Sequence, residues 1–127
     1  MRTGNTFTTG VDKLDLASTL IANNVTSING IDSDTIRSHN IVNGLIRFDD
    51  SDGYIAPITI TAGNLSNVFS YLQSNITTAG NTVAFNAMGN TYVFQDGGFD
   101  DTLVQLTGIT ANSINASGLA VGTVWVS

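Results

Sequence analysis

A chain of 127 residues is long enough for one domain with a modest core, and its 42% hydrophobic content supports one. Only 11% of its residues are charged, against about 25% in an ordinary soluble domain. A net charge of −6 excludes the basic face that nucleic-acid binding requires, and the lack of cysteine excludes disulfides, thiolate metal sites and a cysteine nucleophile. Polarity is carried by Thr, Ser, Asn and Gly, a profile that suits an extracellular β-protein. All ten acidic residues are Asp, whose short side chain fits tight turns and oxygen-ligand calcium loops. No apolar run approaches the roughly 20 residues of a membrane helix, so no membrane insertion is expected. The N-terminus shows no cleavable secretory signal, so an export address is expected elsewhere.

In chain order, residues 12–16 read as a short strand opened by Gly10. Residues 17–40 read as short strands and turns. Val42, Gly44, Ile46 and Phe48 alternate with polar or outward positions and predict one half-buried strand. The run Asp49-Asp50-Ser51-Asp52-Gly53 stops it as a turn. Residues 54–60 are a further extended run, which Pro57 demotes towards a sheet edge. A helix is predicted over residues 62–76, because Leu65, Val68, Phe69, Leu72 and Ile76 form one apolar stripe. Thr61 is its expected N-cap, and Gly80 lies beyond its far end. Val83, Phe85 and Ala87 then alternate towards a Gly89-Asn90 hairpin turn, and the return strand puts Tyr92 and Phe94 on one face. A second acidic turn spans residues 96–101, followed by a strand over 102–109 with Val104 and Leu106 together. Residues 120–127 close the chain as an apolar extended segment. The expected fold is mainly β, a β-sandwich or rolled β-meander with one packed α-helix, as a single domain over residues 1–127.

Catalytic chemistry has little to stand on. His39 is the sole histidine, expected in a loop, and its neighbour Ser38 rarely faces it correctly when adjacent in sequence. The Asp clusters lie in glycine turns and give no asymmetric carboxyl pair. Calcium is the serious candidate ligand. Asp50-Ser51-Asp52-Gly53 resembles the opening of an EF-hand loop, but the twelfth position holds Thr61 where a Glu is needed. Asp49, Asp50 and Asp52 remain candidates for a different kind of calcium site. Asp96, Asp100 and Asp101 form a second candidate set, against the simpler reading that they bond turn amides.

Three segments carry a family resemblance. Gly89-Asn90-Thr91-Tyr92-Val93-Phe94-Gln95-Asp96 followed by Asp101-Thr102-Leu103-Val104-Gln105-Leu106-Thr107-Gly108 resembles the C-terminal region of RTX-type, type I-secreted bacterial surface proteins. There a G-(N/D)-T-Y-V-F strand, an acidic glycine turn and a D-T-L-V-x-L-T-G strand recur together, as in S-layer proteins. Gly10-Val11-Asp12-Lys13-Leu14-Asp15-Leu16 is similar to the G-x-D-K-L-D-L segment that follows the calcium repeats in serralysin-like proteins. The helix with Thr77-Thr78-Ala79-Gly80-Asn81-Thr82-Val83-Ala84-Phe85 resembles the family's approach to its hairpin. The calcium nonapeptides themselves are absent from this sequence.

The resemblance implies a non-catalytic C-terminal piece of a larger secreted, cell-surface protein. It implies an uncleaved export signal read by a type I secretion transporter, a cap on an upstream calcium roll, and self-association in a surface lattice. The sequence agrees in one respect: no Lys or Arg follows Arg47, and the terminus is apolar. Two alternatives stand beside this reading. One is a calcium-dependent module binding a glycan or protein through Tyr54, Tyr92 or Trp125. The other is the tail of a secreted hydrolase.

Overall fold

Two-residue turns with positive φ divide the chain into hairpins. The computed structural model describes residues 2–3, 13–97, 100–116 and 123–127. Five strands come first: β1 (Arg2–Thr3), β2 (Lys13–Asp15), β3 (Val25–Ser33), β4 (Ile36–Val42) and β5 (Leu45–Asp49). The helix α1 (Leu65–Asn75) precedes β6 (Thr82–Ala87), β7 (Asn90–Gln95), β8 (Thr102–Leu106), β9 (Ile114–Asn115) and β10 (Thr123–Val126). Among the described residues strand accounts for 44% and helix for 10%, so they are mainly β, with two sheets and a single helix, as the alternation predicts.

Asn43-Gly44 joins β4 to β5 with φ of 53° and 79°, and Met88-Gly89 joins β6 to β7 with φ of 54° and 77°. Positive φ at both central residues gives a turn whose twist matches that of the flanking strands. The single strand expected over residues 42–48 is therefore two strands. Val42 pairs with Leu45 and is 42% exposed, while Ile46 and Phe48 point to the opposite face and are buried. A Cβ on Gly44 would also collide with the Ile114 side chain, so this turn is held against β9. The second turn falls one residue earlier than expected, because Ala87 pairs with Asn90.

The strands form a seven-stranded sheet in the order β1-β8-β7-β6-β5-β4-β3 and a three-stranded sheet in the order β2-β10-β9. Side-chain alternation sends residues of the large sheet to two cores. On one face Ile46, Phe48, Val83, Phe85, Tyr92 and Phe94 pack against Val68, Tyr71 and Leu72 of α1. On the other, Leu45, Ala84, Val93, Val104 and Leu106 pack against Leu14, Ile114, Val124 and Val126 of the small sheet. The large sheet is thus covered by the helix on one side and by the small sheet on the other.

The helix is shorter than its stripe predicts. Its N-cap is Asn64, with no side-chain cap bond, and Thr61 instead closes the preceding turn by accepting from the Gly63 N–H through Oγ1 at 3.2 Å. Asn64 is occupied holding that turn, accepting the Thr61 N–H at 2.7 Å and donating to the Thr59 carbonyl at 3.1 Å. Residues 54–60 form no strand. Their backbone-to-backbone tie to β5 is the Ile58 N–H donating to the Phe48 carbonyl at 2.8 Å.

Candidate functional site

The two acidic turns use their carboxylates in opposite ways. Asp49, the last residue of β5, is 5% exposed and collects the chain that follows it. Its Oδ1 accepts the Asp50 N–H at 2.7 Å. Its Oδ2 accepts the Ser51 hydroxyl at 3.0 Å, the Ile55 N–H at 2.8 Å and the Ala56 N–H at 3.3 Å. These donors, the Ile55 amide foremost, hold its pKa down to about 2. Asp52 lies apart, paired with Arg37 Nη2 at 2.8 Å, and Arg37 Nε also reaches Asp32 at 3.4 Å. Asp50 is exposed. Asp49 and Asp52 therefore serve separate partners, and Asp49 is the cap of a loop.

The turn at residues 96–101 does bring two of its carboxyls together. Asp96 is buried, and its backbone is tied to the preceding segment: its N–H donates to Asn81 at 3.0 Å and its carbonyl accepts from Gly80 at 2.6 Å. The Asp101 side chain turns back, accepting the Gly97 N–H at 3.3 Å through Oδ1 and sharing a hydrogen bond with Asp96. Burial, that bond, and the charges of Asp96 and Asp100 push the Asp101 pKa up. Asp100 is exposed. Beside the turn, Gln95 is 2% exposed and locks residue 18 to β6: its Nε2 donates to the Ser18 carbonyl and to Thr82 Oγ1, each at 2.8 Å. Among the described residues no group of three or more His, Cys, Asp or Glu is disposed to hold a metal ion.

His39 is not in a loop. It lies in β4, 4% exposed, and its Nδ1 is 2.7 Å from the Tyr71 hydroxyl on α1, with Phe48 edge-on to the same tyrosine. Burial lowers the His39 pKa to about 4 and pushes that of Tyr71 up. Ser38 faces the other side of the strand, where its Oγ and Asn40 Oδ1 are buried without a hydrogen-bond partner. No serine–histidine pair forms here. Sequence periodicity could not announce the His39–Tyr71 contact, because Tyr71 falls between the stripe residues Phe69 and Leu72 rather than among them. Of the aromatic residues considered for ligand stacking, Tyr92 is in the core, stacked on Phe85 at 5.1 Å, while Tyr54 and Trp125 are half-buried. Comparison with protein-family models, curated proteins and solved structures finds no match.

Proposed function

We propose that this chain is a non-catalytic structural domain of a bacterial surface protein of the RTX, S-layer-like kind, exported by a type I transporter and stabilised by calcium. One observation carries the reading. The two strands that hold the resemblance are β7 and β8, neighbours in register from Thr91 with Leu106 to Gln95 with Thr102, and the acidic turn is the loop between them. Asp96 and Asp101 meet there with a carboxyl pKa already raised, which is the electrostatic condition that a divalent cation relieves. Hard oxygen donors suit calcium, and these two carboxyls are the ones that would hold it. Bound calcium would supply charge compensation and closure of the hairpin, which is a structural role.

Thermal unfolding with calcium and with chelator tests this. At a calcium concentration a hundredfold above Kd, stability should rise by about 2.7 kcal/mol, or about 10 °C in a domain of this size. Identical midpoints in the two conditions would refute the calcium part of the proposal.

A further inference from the structure

Beyond the structural role, separate segments of the chain meet at the tip of the β4–β5 hairpin and hold its backbone from several sides. The Asn43 N–H donates to Asn24 Oδ1 at 2.9 Å, and the Asn43 carbonyl accepts the Ile114 N–H at 3.0 Å. The next carbonyl, that of Gly44, accepts the Ala84 N–H at 2.9 Å. Residues 20–22 are tied along β6 in turn, by the Thr82 N–H to the Leu20 carbonyl at 2.8 Å and the Ala22 N–H to the Thr82 carbonyl at 3.0 Å. Asn43 thus stands between Asn24 on one side and the Ile114-Asn115 strand on the other. Between these segments runs a groove of ≈ 450 Å³, inside the range of about 300–1,000 Å³ found for small-molecule sites.

The lining of the groove divides by burial. Ile21 and Ala116 are half-buried and Ile114 is buried, which gives an apolar floor, whereas Asn23, Asn24, Asn43 and Asn115 are exposed at the rim. Asn24 is partly committed through its Oδ1, but the side chains of Asn23, Asn43 and Asn115 make no hydrogen bond among the described residues. No charged residue is among the described residues that line the groove, although the chain as a whole carries −6. A carboxamide offers two N–H donors and a carbonyl acceptor without carrying charge. Several of them around an apolar floor match a ligand with many hydroxyls and a C–H face, and give a carboxylate, phosphate or ammonium no opposite charge to pair with. We propose that this groove binds a neutral hexopyranose unit of a glycan, its C–H face towards the floor at Ile21 and its hydroxyls bonded to the amides of Asn23, Asn43 and Asn115. The fixed backbone confines the cost of ordering to the side chains. The site lies apart from the Asp96–Asp101 turn and requires no calcium.

The probes are methyl α-D-glucopyranoside and its galacto and manno epimers, titrated separately into the full chain with chelator present and followed by amide chemical shifts. At least one should give saturable shifts at Asn24, Asn43, Gly44 and Asn115, in the millimolar range. Tetrahydropyran-2-methanol keeps the ring but a single hydroxyl, and should bind at least about tenfold more weakly. Asn43→Gly removes one amide and leaves a residue suited to the φ of 53°, while Asn115→Ala removes another at an exposed position. Each should weaken binding about threefold to tenfold. Asn29 is exposed, lies outside the groove and makes no side-chain hydrogen bond among the described residues, so Asn29→Ala should leave binding unchanged. The proposal is overturned by a lack of saturable shifts with all three glycosides, by equal binding of tetrahydropyran-2-methanol, or by losses in the Asn43 and Asn115 variants no larger than that of Asn29→Ala. Because chelator is present throughout, the outcome does not depend on the calcium test.

Discussion

Asp49 and Asp101 show how one residue type supports stability at one place and opposes it at another. Asp49 is held below its ordinary pKa, so its contribution is present above about pH 4 and is lost as pH falls through about 2. Asp101 is raised, so the sign reverses: its contribution is fully present below its unfolded pKa and is lost as pH rises through the folded one. Without calcium, Asp101→Asn should therefore raise the thermal midpoint at pH 7, while Asp49→Asn should lower it by releasing the Ile55 and Ala56 amides. Asp101→Asn should also abolish any calcium-dependent gain, which a calcium titration of the variant's melting temperature checks. His39 adds a third dependence. Its pKa falls from 6.5 to about 4 on burial, so the unfolded chain takes up the proton first and stability declines as pH drops through that window. Allowing for partial solvent screening, the loss should reach about 2 kcal/mol. In denaturant titrations from pH 7 to 4, His39→Gln should flatten this slope. The same strand offers an opposite case in Ser38, whose buried Oγ has no partner. Ser38→Ala should be neutral or stabilising, by about 1 kcal/mol.

The helix contributes mainly through the residues that face the sheet squarely. Val68, Tyr71 and Leu72 are 0% exposed, whereas Phe69 packs against the cluster only partly buried. Leu72→Ala should then cost about 2–5 kcal/mol in urea unfolding, and Phe69→Ala less than the 3–5 kcal/mol typical of a buried phenylalanine. At this scale the sequence was a good guide wherever both faces of an element differ. The β6–β7–β8 meander could be read from Val83 to Leu106 because alternate residues enter different cores, and the helix stripe marked the face that meets the sheet. What stayed hidden has definite causes. Asn43-Gly44 lay inside an unbroken alternation and looked like strand, since a two-residue turn leaves apolar residues at regular intervals on both sides. Met88 takes a positive φ that its side chain does not advertise. β3 is long but mostly exposed at the sheet edge, so it carries little hydrophobic pattern. Gly30 in that strand is read only in three dimensions, where a Cβ would strike the Tyr71 hydroxyl. Nearby, Asn75 closes the same edge, accepting the Ile31 N–H at 2.7 Å and donating to its carbonyl at 3.0 Å. The Asp96–Asp101 approach was legible as a shared turn.

Across the whole molecule, the two ends of the chain complete the structure built by its middle. β1 adds to the large sheet through β8, and β10 is the central strand of the small sheet between β2 and β9. Val124 and Val126 are 0% exposed, and the Ser127 backbone bonds to Asn112 and Ser113, so the last residues belong to the second core. Without β10 that core would lack Val124 and Val126. On the proposed export route this has a use: while a transporter engages the C-terminal segment, the chain lacks the strand it needs and stays unfolded. The segment would then act first as an address and afterwards as a strand. Folding and addressing can be separated by fusing the full chain to a slow-folding passenger in a host with a type I transporter. Deleting residues 102–127 should abolish passenger secretion. Leu72→Ala, which weakens the fold through α1 and leaves that segment intact, should secrete as well as the parent, because transport acts on the unfolded chain. If the deletion leaves secretion unchanged, the C-terminal segment is not the address. If Leu72→Ala blocks secretion as fully as the deletion does, export depends on the folded domain, and the address reading gives way to a purely structural one.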